Sequence, residues 1–109
     1  MQHSMITTAF TLDGFRIIKD LGLVRGITVR SLSWKGMFKG NFQMLGGGQL
    51  KLYTELCEKA REEAFELMIK HAEELGANAI VGVRYDTNPL QELASEVLCY
   101  GTAVMAEPL

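Results

Sequence analysis

Residues 49–75, QLKLYTELCEKAREEAFELMIKHAEEL, decide the fold. Tyr53, Leu56, Cys57, Ala60, Ala64, Leu67, Met68, His71 and Leu75 recur at i, i+3, i+4 and i+7, the spacing that stacks side chains on one face of an α-helix. Glu55, Glu58, Lys59, Glu62, Glu66, Lys70 and Glu73 fill other positions. The pattern predicts one long amphipathic helix over Gln49 to Leu75, and Gly76, which takes a left-handed conformation at little cost, predicts its end. Phe65 and Ile69 fall among charges, off the apolar stripe, and are expected to need a contact with another subunit.

Upstream, Gly22 to Leu32 is rich in β-branched residues, with Leu23, Ile27 and Val29 on one face of a strand. A shorter extended piece, Phe15 to Lys19, precedes it after a turn at Asp13-Gly14. Trp34, Met37, Phe38, Asn41 and Leu45 recur at helical spacing opposite Lys35, Lys39 and Gln43, predicting a short amphipathic helix before Gly46-Gly47-Gly48. Downstream, Asn78 to Thr87 and Ser95 to Ala106 read as strands, separated at Asn88 to Glu92, where Pro89 cannot donate to a ladder. The order strand, helix, strand, strand predicts an α+β fold, a β-α-β-β unit with a three-stranded, mainly antiparallel sheet in the order 1-3-2. The long helix is expected to pack on Ala79, Val81 and Val83. Both faces of the last strand are apolar: Leu98, Tyr100, Thr102 and Val104 on one, Val97, Cys99, Gly101, Ala103 and Met105 on the other. One helix covers one face, so the second is expected to meet the short helix or another subunit, which argues for a homo-oligomer.

With 109 residues, 48% apolar and 22% charged, the chain has the size and composition of a single domain, 1–109. Nothing approaches the roughly 20 apolar residues of a membrane span. Met1 to Phe10 lacks a signal-peptide pattern, and two cysteines make no disulfide framework of the secreted kind, which points to a cytoplasmic setting with no membrane partner. Residues 1–54 carry a charge of +5 and residues 55–109 a charge of −7, and Leu21 to Thr54 contains no acid. Five spread cations lack the clustering of a nucleic-acid surface, so the asymmetry is read as complementarity between the two halves, within one chain or between copies.

The chemistry-bearing residues are few. His3 and His71 are the only histidines, and no nucleophile elbow, phosphate loop or dinucleotide glycine pattern occurs, so the chain is not expected to be an enzyme. His71 lies on the helix's apolar stripe and is expected to be satisfied by one hydrogen bond. Soft metals want several Cys or His ligands. Cys57 and His71 share a helix face but stand ~21 Å apart at the helical rise, too far to hold one ion. Cys57 and Cys99 meet only if helix and strand juxtapose them, and an oligomer offers copies of Cys99 to one another. His3 with a terminal amine and two amides is a square-planar donor set for Cu(II) or Ni(II), although Met1 to Ser4 is expected to fray without a role. Gly46, Gly47 and Gly48 with Lys51, at a helix start without acids, form a candidate anion site.

The ordered set Thr7-Thr8, Leu12-Asp13-Gly14, Gly22-Leu23-Val24-Arg25-Gly26, Gly46-Gly47, Lys59-Ala60-Arg61-Glu62, Gly76-Ala77-Asn78-Ala79-Ile80-Val81-Gly82 and Tyr100-Gly101-Thr102-Ala103-Val104 resembles the YbjQ-type family of small bacterial proteins labelled heavy-metal-binding. The resemblance runs nearly end to end. It implies a dodecin-subunit-like β-α-β-β fold assembling into a pentameric ring, a homo-oligomer with no established activity. The function expected of such a ring is non-enzymatic binding of a small ligand or transition-metal ion in sites completed by several subunits. In that family Gly46-Gly47 is followed by Arg and Ser, where this chain has Gly48 and Gln49, a departure that weakens the anion reading. The alternative is a purely structural or interaction module with no ligand.

Overall fold

The computed structural model describes residues 1–31, 47–91 and 94–109. The short amphipathic helix expected from Trp34 to Leu45 lies outside the described residues. Strand β1 spans Phe15–Ser31, helix α1 Gly47–Glu74, β2 Ala79–Gln91 and β3 Ala94–Pro108. The sheet order is β1-β3-β2, with β3 antiparallel to both neighbours. This is the α+β, strand-helix-strand-strand arrangement expected from the sequence. No described helix is long and apolar enough to cross a membrane.

The helix ends as Gly76 predicted. Gly76 has φ +85°, its N–H donates to the Glu73 carbonyl at 3.0 Å, and the Ala77 N–H donates to the Ala72 carbonyl at 3.1 Å. These two bonds satisfy carbonyls that a helix end otherwise leaves open.

Helix α1 lies mainly over β1, then over β3, and barely touches β2. It comes closest at Gly26, where an added Cβ would overlap the Ala64 carbonyl oxygen and fall 2.5 Å from the Met68 nitrogen. The helix therefore rests on bare strand backbone, and its contact face is made of small and flexible residues: Ala60, Ala64, Met68, Ile69 and Ala72, all buried. These close on Val24, Val97, Cys99 and Ala103, with Ile80 and Val83 at the far side.

That face is rotated from the stripe read in the sequence. Tyr53 and Leu67, expected in the core, are exposed, whereas Ile69, expected in a subunit contact, is only 6% exposed. Phe65 is half-buried against the same core, and the His3 ring meets it edge-on at 5.3 Å. The physical reason is the amino-terminal segment. Met1 and Ile6 pack on the core, residues His3–Met5 form a 3-10 turn, and the Met1 amine pairs with Glu73 at 2.7 Å, so Met1 to Ser4 is not frayed. Further on, Thr7 donates to the Ile80 carbonyl at 3.0 Å, while Gly82 donates to Ala9 at 2.8 Å and Val83 to Thr7 at 3.0 Å.

Two strand readings also change. Ala79 and Val81 turn away from α1 and form a second core with Leu12, Val104 and Ala106, whereas Ile80 and Val83 face the helix. A bulge between Val81 and Arg84 inserts one residue and inverts the inside-outside alternation beyond it. Strand β2 also continues through Pro89, which pairs with Ser95 beside another register shift. Proline is tolerated there because β2 is an edge strand. Likewise Phe15 to Lys19 and Gly22 to Ser31 are one strand, joined across irregularities at Ile17/Lys19 and Asp20/Gly22.

The close approach at Gly26 gives the first test. Gly26→Ala is expected to destabilise the fold by about 3 kcal/mol, the upper end of overpacking costs, because the obstructing atoms are helix backbone. Urea unfolding measures it; an unchanged midpoint contradicts the packing described.

Candidate functional site

The register explains how the sheet presents two unlike faces. Val24, Gly26 and Thr28 of β1 pair with Gly101, Cys99 and Val97 of β3, and this row lies under α1. The alternate row, Leu23 with Thr102, Arg25 with Tyr100 and Ile27 with Leu98, points the other way. There Leu23 is 64%, Ile27 45% and Val29 57% exposed, although all three are apolar.

Cys99 lies under the helix with 0% exposure. Its Sγ donates to Met68 Sδ at 3.7 Å and shares a hydrogen bond with Tyr85, its β2 partner in register. Burial pushes the Cys99 thiol above its ordinary value, and burial, followed by the charge and hydrogen bond of Cys99, pushes Tyr85 up to about 12. Facing the helix, Cys99 cannot meet a symmetry copy through the open side of the sheet. Cys57 is exposed on α1.

The other expected donors stand apart. His3 is engaged by Phe65, and the terminal amine beside it by Glu73. His71 is half-buried and, as expected, satisfied by one bond: its Nδ1 accepts the Arg25 backbone N–H at 3.2 Å, which requires the tautomer protonated on Nε2. No group of three or more His, Cys, Asp or Glu side chains converges for a metal ion among the described residues. Of the anion candidate, Gly46 lies outside the described residues, Gly47 and Gly48 are the first residues of α1, and Lys51 is exposed in a helix whose first turn carries no acid.

The structure also forms a cavity of about 130 Å³ between α1 and the sheet, lined by Arg30, Leu56, Cys57, Ala60, Arg61, Thr87, Ser95 and Val97. Arg30 pairs with Glu63, whose other oxygen accepts the Thr28 hydroxyl at 3.2 Å. Sequence reasoning missed this grouping. Cys57 and Arg61 do share a helix face at i, i+4, but the register that sets Arg30 opposite Ser95 and Thr87 opposite Val97 carries no local signal.

Fold and donors together define a small β-α-β-β protein with one helix-covered sheet face and an opposite face on which Leu23, Ile27 and Val29 stand exposed beside charged side chains. The chain belongs to the YbjQ-type family, whose model carries the description "Putative heavy-metal-binding" and matches residues 4–107. It is 54% identical over 105 residues to a UPF0145 protein of Chromobacterium violaceum, covering 96% of this chain and 90% of the relative. It is 55% identical over 102 residues to a UPF0145 protein of Burkholderia thailandensis, covering 94% and 92%. A crystal structure of a protein of unknown function from Pediococcus pentosaceus, assigned to the DUF74 family, superposes with a TM-score of 0.64 at 21% identity, covering 97% of this chain and 100% of that one. That likeness is one of fold.

The two thiols are expected to report their environments. Cys57 should react with a thiol reagent in native protein as fast as a free cysteine, and Cys99 only when the helix lifts from the sheet; equal native rates would contradict the burial. Because the folded state holds Cys99 protonated beyond its ordinary 9.0, the unfolded chain releases that proton first, and stability should fall as pH rises above 9. Urea midpoints across that range, with Cys99→Ala flattening the decline, check the sign.

Proposed function

We propose that the protein is a non-enzymatic, self-associating subunit that binds a small ligand or heavy-metal ion in sites completed between copies. The observation that carries this reading is the apolar row Leu23, Ile27 and Val29, exposed on the sheet face opposite α1. These three large apolar side chains lie exposed together on one face of one strand, with Arg25 between Leu23 and Ile27, and such a grouping marks an interaction surface. A second copy is the occupant that this reading assigns, and a pentameric ring is the assembly that the resemblance supports. The opposite charges of the two halves of the chain favour contact between unlike regions of neighbouring copies. The family description supports a heavy metal as the ligand class. Cys57, exposed on α1, is the soft donor that a neighbouring copy can reach, whereas Cys99 is enclosed.

Light scattering coupled to size exclusion tests the association. The expected mass is a multiple of 12.1 kDa, about 60 kDa for five copies, and Ile27→Glu is expected to shift it toward the monomer by placing a charge in the apolar contact. A wild-type monomer at micromolar concentration overturns the assembly. Metal analysis of untagged protein for zinc, copper and nickel tests the ligand. Stoichiometric metal surviving dialysis and lost in Cys57→Ser supports a shared soft site; its absence for all three ions leaves the structural-module alternative.

A further inference from the structure

We propose that the cavity between α1 and the sheet is a binding site for a short-chain carboxylate. It goes beyond the association proposed above, because every residue lining it comes from one chain. Four elements build it: Arg30 from β1, Leu56, Cys57, Ala60 and Arg61 from α1, Thr87 from β2, and Ser95 and Val97 from β3.

Charge assigns the ligand's head. Arg30 is held by Glu63, so its charge is already compensated, and its buried Nε has no hydrogen-bond partner among the described residues. Arg61 makes no ion pair or hydrogen bond with any described residue. Among the described residues the cavity is thus lined by one guanidinium, Arg61, that makes no ion pair or hydrogen bond, a match for a single negative charge. A carboxylate presents two oxygens in the geometry that guanidinium groups grip best. The Thr87 and Ser95 hydroxyls add neutral donors on the sheet side.

The walls assign the tail. Leu56, Ala60 and Val97 give the cavity an apolar side, where an inorganic oxyanion finds no use for its remaining oxygens and a hydrocarbon stub does. The volume of about 130 Å³ is of the size of cavities that admit one small organic molecule, room for a short-chain carboxylate. A phosphate, divided near neutrality between its mono- and dianion, would carry charge that Arg61 alone does not match and press its remaining oxygens against these walls.

Cys57 lines the cavity and is exposed, so its alkylation reads occupancy, while buried Cys99 stays unreacted in folded protein and serves as an internal control. The full chain is treated with uncharged iodoacetamide at constant ionic strength against increasing propionate, propionamide or inorganic phosphate. Propionate at saturation is expected to slow Cys57 alkylation about fivefold or more, with propionamide and phosphate ineffective at equal concentration. Arg61→Gln, a change at an exposed position, is expected to raise the propionate needed by about tenfold, as losing a charge-assisted bond does. Thr87→Val should raise it less, and Lys51→Gln not at all. Ile27→Glu, which tests association, should leave protection intact, so failure of either reading is told from failure of the other. The proposal is overturned if propionate gives no protection, if propionamide or phosphate protects equally well, or if Lys51→Gln rather than Arg61→Gln abolishes the effect.

Discussion

Helix α1 sits directly on the backbone of β1 at Gly26, and the rest of the molecule is arranged around that contact. With no side chain beneath it, the helix approaches until Ala64 and Met68 touch the strand, which selects alanines at 60, 64 and 72 for the contact face. Close packing gains dispersion at many small contacts rather than through a few large side chains. It also displaces the larger residues. Leu67 and Tyr53 are turned out to the flanks, and Phe65 and Ile69 are brought to the side that the amino-terminal segment then closes. The cavity is the complement of this geometry: tight contact at Gly26 is followed, toward Arg30 and Ser95, by space that Leu56 and Ala60 do not fill.

The architecture was legible because its signals are local and repeated. A helical period over Gln49 to Leu75, a glycine stop at Gly76 and β-branched runs on either side leave few arrangements of a chain this short. What was not legible depended on distant partners. The core face of α1 follows from Gly26, 38 residues before Ala64. The change of face at Val83 follows from one inserted residue, which no pattern of alternation reveals in advance. Pro89 ended a strand on paper and sits within one in the fold, because only sheet order shows which edge can do without its N–H.

The candidate donors divide in the same way. His71 was readable as a satisfied helix residue from its position on the stripe, and its partner turns out to be a strand amide. Cys57, Cys99 and His3 could be ranked as ligands by type, yet their separation is a matter of topology: one is exposed on the helix beside the cavity, one lies under the helix, and one in the amino-terminal turn. Arg30 and Arg61 carried no signal at all, since an arginine in a strand and another in a helix are ordinary surface residues until the fold sets them beside the same space.

The outer margins of the sheet are partly closed by the chain itself. Residues Thr7 to Ala9 occupy the β2 margin at Ile80, Gly82 and Val83, and His71 takes up the Arg25 amide on β1. Each removes a main-chain group that an incoming strand would use. Strand addition at an open margin has no natural stopping point, because every added copy offers the next a fresh margin, and it leads toward fibres. Contact through a face is bounded by the shape of that face. By occupying the β2 margin from Ile80 to Val83 and one amide of β1, the chain shortens the margin that strand addition could use, while Leu23, Ile27 and Val29 stay exposed on the sheet face.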